Sequence, residues 1–213
     1  IRKSVLTIKP YVAGKPIEET KRQLGLRNVI KLASNENPLG PSPKAVGAIK
    51  RLLSGINRYP DAQGFYLKRS LAKFFGLTVQ NFVLGNGSDE LIDVAIRAFV
   101  EADENIVTSE GTFLEYEIIA QVNDRRVRKA PLVSFKYDLA GMLKLVDKKT
   151  KLVFIANPNN PTGTYITKNE VRKFIEALPE SVIVVLDEAY NTFIDVKDYP
   201  DSLVYLKNKK NVI

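Results

Sequence analysis

The spacing of apolar residues along this chain changes near residue 82. Before that point it is helical. Ala45, Val46, Ile49, Leu52 and Leu53 form one stripe behind Ser42 and Pro43, which predicts a helix capped by Ser42 with Pro43 in its first turn. Leu67, Leu71, Phe74 and Phe75 mark a second amphipathic helix, ended by Gly76. Residues 1–30 contain "KPYVAGKP", with Pro10, Gly14 and Pro16, and read as an irregular arm docked on something else.

Beyond residue 82, strand-like and helix-like runs alternate. "FVLGNGS" predicts a short strand and a glycine turn, and 89–100 a mostly apolar, buried helix. "NIVTSE" predicts a strand, 113–122 a helix, "RRVRKAP" a weaker strand, and 138–146 a helix behind Asp138. "KLVFIA" is strand-like, and Thr167 with Glu170 forms a capping box for the helix that follows. "SVIVVL" is apolar throughout, as a strand covered on both faces is. "LKNKKNVI" begins what reads as another strand. Repeated strand–helix units predict an α/β fold: a mostly parallel sheet with helices on both faces. Ligands of such sheets sit beyond the carboxyl ends of the strands.

Four polar clusters follow predicted strands. In "VLGNGSDELID" the helix start at Gly87, Ser88 and Asp89 offers backbone N–H groups to a phosphate, or is a plain capped turn; its spacings fit neither a Walker loop nor a dinucleotide fingerprint. In "VVLDEAY" the Asp187 carboxylate emerges at a strand end, where it needs a cation or donors. A protonated ring nitrogen, a Mg²⁺ ion or solvent at a surface turn would each serve, and Tyr190 sets a phenol nearby. "NPNNPTG" offers Asn157, Asn159 and Asn160 on a proline-stiffened loop, as a turn or as a ligand contact. "SEGTFLEY" brings Phe113 to the same edge, as core or as cover for a flat ring.

Composition narrows the chemistry. Among 213 residues there is no Cys and no His, which removes disulfides, thiol nucleophiles, Cys- and His-based metal sites and the usual neutral-pH base. Acid–base work falls to Lys, Asp, Glu, Tyr or a cofactor. The net charge of +8 is uneven: residues 1–80 hold 15 Lys/Arg against 4 Asp/Glu, and residues 81–213 hold 17 against 20. The basic front is a solvated face or attracts a small anion; aromatics interleaved for nucleic acid are lacking. No apolar run reaches membrane-spanning length and no signal-peptide pattern opens the chain, so a soluble cytoplasmic protein is expected.

In this order the clusters resemble the fold-type I aminotransferases of class II, which use pyridoxal 5'-phosphate (PLP). Within them the likeness is greatest to the histidinol-phosphate aminotransferases. It rests on "KLASNENPLGPSP" (31–43), "RYPD" (58–61), "GNGSDELI" (85–92), "ANPNNPTG" (156–163) and "LDEAY" (186–190), and spans the whole chain. The resemblance implies a PLP-transferase-like large domain at 59–213, the first segment of a small domain at 31–58, and the arm at 1–30. It implies that Asp187 pairs with the pyridine nitrogen and that Asn160 and Tyr190 bond the ring oxygen. It also implies that Phe113 stacks on the ring and that Gly87, Ser88 and Asp89 bind the phosphate. It further implies that Tyr59 reaches the phosphate in a partner subunit, so that the sites of a homodimer are shared, and that Glu36 and Asn37 lie near the substrate.

The implied activity is transamination between histidinol phosphate, a phosphorylated amine, and 2-oxoglutarate, with no metal, nucleic acid or membrane partner. The family's Schiff-base lysine, in a "TFSK"-like segment, is expected after Ile213, so these residues alone are expected to be an inactive N-terminal part. The alternatives are an aromatic amino-acid aminotransferase, a threonine-phosphate decarboxylase-like lyase, and a PLP-fold remnant acting as a binding module.

Overall fold

A computed structural model describes residues 1–9, 14–208 and 211–213. Pro10 of "KPYVAGKP" and the middle of "LKNKKNVI" lie outside the described residues. The chain divides into two compact units, Ile1–Lys9 with Arg69–Ile213, and Pro10–Lys68.

The larger unit is built on a four-stranded parallel sheet, as the strand–helix alternation predicts. Its strands are β1 (Asn105–Ser109), β2 (Arg126–Ala130), β5 (Thr150–Ala156) and β6 (Ile183–Asp187), in the order β2-β1-β5-β6. A two-stranded antiparallel hairpin, β3 (Leu132–Val133) and β4 (Lys136–Tyr137), lies outside it. Along β5 the side chains alternate between two cores. Leu152, Phe154 and Ala156 pack with Ile92, Ile96, Ile106, Tyr116 and Ala120, which are buried residues of α5 (Gly87–Phe99), β1 and α6 (Glu115–Val122). Val153 and Ile155 pack with Met142, Val171, Phe174 and Ile175 of α7 (Leu139–Leu145) and α8 (Lys168–Ala177). This covering of both faces is why Leu152–Ala156 of β5 and Ile183–Leu186 of β6 are continuous apolar runs. Two helix starts behave as expected: the Asp138 carboxylate accepts from Gly141 N–H at 2.9 Å, and Thr167 and Glu170 form a reciprocal capping box.

Three expectations are corrected. "FVLGNGS" holds no strand; Phe82–Leu84 find no ladder partner among the described residues, and Val83 is 68% exposed. Strand propensity without a neighbour does not make a strand. Among the described residues of the terminal stretch, 206–208 end a helix (α9, Ser202–Asn208), and 211–213 lie along β6, through Val184 N–H to the Asn211 carbonyl and Leu186 N–H to the Ile213 carbonyl, each 2.9 Å. The arm is not irregular throughout. It holds α1 (Lys3–Leu6) and α2 (Ile17–Leu24), the latter opened behind Pro16 and closed at Gly25, φ 65°. Glu18 and Glu19 in the first turn of α2 and Lys21 and Arg22 in the last suit its dipole.

The smaller unit also carries α3 (Pro43–Leu52), with Pro43 at its start; the Ser42 side chain makes no capping bond. The division between units falls within α4 (Phe65–Phe75). Among the described residues no helix is long and apolar enough to cross a membrane.

Candidate functional site

The register of the two central strands sets Ala156 of β5 beside Asp187 of β6. The chain leaving each strand therefore opens at one edge of the sheet. The loop after β1 and the start of α5 reach the same edge. Together they enclose a cavity of about 200 Å³ lined by Gly87, Ser88, Asp89, Phe113, Asn160, Asp187 and Tyr190, with Asn86, Ala156, Pro158 and Ala189 completing it. Seven of the residues singled out in the sequence are thus brought together.

Asp187 is half-buried and holds two donors. Tyr116 donates its hydroxyl to Oδ2 at 2.6 Å, and Ala189 N–H donates to Oδ1 at 3.1 Å. Among the described residues no Lys or Arg forms an ion pair with it. Tyr116 is fully buried, stacked on Phe154 with centroids 4.9 Å apart and edge-on to Phe113 at 5.6 Å. Burial first, and then the charge of Asp187, push its phenol far above the ordinary value, so the hydroxyl stays a donor.

The three asparagines after β5 divide their work. Asn157 N–H bonds the Asp187 carbonyl at 2.9 Å, tying the loop to β6. Asn159 is fixed by Thr112 Oγ1 at 2.8 Å, the Gly111 carbonyl at 3.2 Å and Thr162 Oγ1 at 2.7 Å. Thr112 also meets the hydroxyl of Tyr137, which accepts from Ala156 N–H at 3.0 Å. Asn160 lines the cavity, and its side chain takes no hydrogen-bond partner among the described residues.

The start of α5 is shaped by two glycines with different tasks. A Cβ on Gly85 would meet Leu91 Cδ2 at 2.9 Å, so that glycine permits close packing. Gly87 has open space around it but a φ of 77°, which side chains rarely adopt. Glu90 takes the Asn86 N–H at 2.5 Å and Gly85 the Gly87 N–H at 3.0 Å. Asn86 places no side-chain cap over the first turn, which leaves the Ser88 and Asp89 N–H groups at the positive end of a 13-residue helix. Asp89 exerts its charge on Glu115, whose carboxyl is pushed up by burial and then by Asp89.

Tyr59, Glu36 and Asn37 belong to the smaller unit. The Tyr59 side chain is fully exposed. Glu36 pairs with Lys31 at 2.5 Å, and Asn37 Oδ1 accepts from Leu39 N–H at 3.0 Å in a tight turn. The sequence reading missed Tyr116, Tyr137 and Thr112. Tyr116 had a signal: it follows Phe113 by three residues, the spacing that puts two side chains on one helical face.

Residues 27–213 match the family model for aminotransferases of class I and II. The chain is 46% identical over its full length to a histidinol-phosphate aminotransferase of Moorella thermoacetica, of which it covers 55%. It is 45% identical to histidinol-phosphate aminotransferase 2 of Carboxydothermus hydrogenoformans, covering 59%. A solved histidinol-phosphate aminotransferase of Sinorhizobium meliloti in complex with pyridoxal-5'-phosphate superposes over the whole chain with a TM-score of 0.87, at 30% identity and 56% of its own length. The chain thus spans a little over half the length of the relatives it matches.

Proposed function

The chain belongs to the class I and II aminotransferase family, and on that premise we propose that it carries the PLP-holding part of an enzyme that moves an amino group between histidinol phosphate and 2-oxoglutarate. When bound, PLP supplies an electron sink for the carbon that gains or loses the amine. The observation that carries the reading is Asp187: a half-buried carboxylate, oriented by two donors and paired with no cation among the described residues, facing a cavity. A protonated pyridine nitrogen is the partner such a group accepts.

The other walls fit the rest of the cofactor. The Ser88 and Asp89 N–H groups at the start of α5 suit a phosphate. The Phe113 ring gives a flat apolar face, and the Asn160 amide and Tyr190 phenol can hold a ring oxygen. Among the described residues, no lysine lines the cavity. We therefore expect these 213 residues to hold PLP reversibly and to lack transaminase activity by themselves. Borohydride reduction followed by mass analysis checks this; a stoichiometric adduct on one lysine of these residues would count against it.

Tyr59, fully exposed in its own unit, is proposed to serve the site of a second copy, with Glu36 and Asn37 near the substrate. The same unit exposes Leu32, Leu39 and Ile56, apolar surface of the kind a subunit interface covers. The test of the reaction uses the whole protein. Amino transfer from histidinol phosphate should exceed that from aromatic amino acids, and threonine phosphate should release no CO₂. A higher kcat/KM for an aromatic donor, or decarboxylation, would replace this reading.

A further inference from the structure

We infer that Tyr116 is a positioning residue for this site: its hydroxyl fixes the orientation of the Asp187 carboxylate at the cavity, and its ring braces Phe113. The inference rests on the reading that Asp187 meets a pyridine nitrogen. Tyr116 itself does not line the cavity. It acts through two residues that do.

The geometry gives it both tasks at once. The hydroxyl lies 2.6 Å from Asp187 Oδ2, while Oδ1 takes the Ala189 N–H at 3.1 Å. With one donor on each oxygen the carboxylate cannot turn about its Cβ–Cγ bond without losing both bonds. The Tyr116 ring lies edge-on to Phe113, at an interplanar angle of 85°, and is held from behind by Phe154 at 21°. The acidic wall and the aromatic wall of the cavity are therefore set by the same fully buried side chain.

The consequence for chemistry is specific. A carboxylate that accepts a hydrogen bond from a neutral phenol has part of its charge already satisfied. Deprived of that donor, a carboxylate holds a shared proton more tightly. Loss of the Tyr116 hydroxyl should then draw the proton between Asp187 and the pyridine nitrogen towards the carboxylate. The ring would become a weaker electron sink.

The experiment compares the whole protein with its Tyr116→Phe, Tyr116→Leu and Asp187→Asn variants, each loaded with PLP labelled with ¹⁵N in the ring. Tyr116→Phe keeps every ring contact and removes only the hydroxyl. Its ¹⁵N shift should move towards the unprotonated value, and kcat should fall about tenfold, the worth of one hydrogen bond to a charged group. KM for the amino donor should change by less than about threefold, since the hydroxyl touches no substrate. Tyr116→Leu should show the same shift and also retain PLP less tightly, because Phe113 loses its brace. A wild-type ¹⁵N shift and kcat in Tyr116→Phe overturn the inference. So does a variant that melts early while its folded fraction keeps the wild-type shift, because the role is then structural alone. Asp187→Asn separates the two levels. If it leaves the ¹⁵N signal unchanged, the reading of the cavity has failed; if it moves the signal and Tyr116→Phe does not, only the role of Tyr116 has failed.

Discussion

The side chain of Asn157 and the backbone of Ile166 form a reciprocal pair: Asn157 Oδ1 accepts from Ile166 N–H at 2.8 Å, and Nδ2 donates to the Ile166 carbonyl at 3.1 Å. Both residues are buried, so neither backbone group has water as a substitute. The pair closes the loop that begins at Asn157, passes Asn160 and returns before α8. Asn157→Ala should cost about 3 kcal/mol, because it strands a buried donor and a buried acceptor together. A urea titration measures it. A loss below about 1 kcal/mol would show that the loop is held without this pair.

Gly87 gives a second prediction. Its φ of 77° with nothing within 4 Å of an added Cβ makes Gly87→Ala a purely conformational change. It should cost about 1 kcal/mol from the left-handed backbone and weaken PLP binding by re-aiming the first turn of α5. Gly85→Ala should differ in kind, since its Cβ would meet Leu91 at 2.9 Å and Glu90 at 3.2 Å. The two variants are compared by PLP titration and thermal melting. Equal loss of PLP affinity at unchanged stability in both would contradict the division of tasks.

Most of the site was legible in the sequence because each cluster follows a strand, and parallel strands bring their carboxyl ends to one edge. Asp187, Asn160 and Phe113 share a cavity for that topological reason. What was not legible depends on pairing across long separations. Tyr116 reaches Asp187 over 71 positions and Thr112 reaches Asn159 over 47, and no local pattern encodes such contacts. The failed strand at Phe82–Leu84 has the same origin: its composition is right, but a strand also needs a neighbour. In α2 the error ran the other way, since the prolines and glycine around it hid a short, well-charged helix.

The capping box of α8 yields a pH prediction. Thr167 Oγ1 and N–H both bond Glu170 Oε2, at 2.6 and 2.8 Å, and the Thr167 hydroxyl bond is the main cause holding the Glu170 carboxyl below its ordinary value. A depressed carboxyl stabilises the fold above its unfolded pKa, and that stability is lost as pH falls through the folded one. Thr167→Ala should cost about 1 kcal/mol at neutral pH and progressively less as the solution is acidified below 4.5. Melting temperatures across that range check it; a constant difference would mean the charge of Glu170 is not involved.

Glu188 behaves in the opposite sense. Burial raises its carboxyl, against the lowering effect of hydrogen bonds from Ser202, Asn191 and Tyr199. A raised carboxyl contributes stability that is complete below its unfolded pKa and lost as pH rises through the folded value. Glu188→Gln keeps an acceptor for Ser202 but removes the ionisation. Relative to the parent, the variant should therefore gain stability as pH rises from below 4.5 towards neutrality. Parallel melting curves of the two proteins over that range would sink the argument.

Tyr137 supplies the alkaline counterpart. Burial, opposed by its bonds to Thr112 and Ala156, pushes its phenol up to about 12. Between its ordinary value of 10.0 and about 12 the folded chain holds a proton that the unfolded chain has lost, so stability falls as pH rises through that window. Tyr137→Phe leaves the Ala156 N–H without its acceptor and should cost about 2 kcal/mol at neutral pH. It also removes the group that titrates. The gap between variant and parent should then narrow from pH 10 to pH 12 in denaturant titrations. A gap that stays fixed or widens would show that the phenol ionises in the folded chain as readily as in the unfolded one.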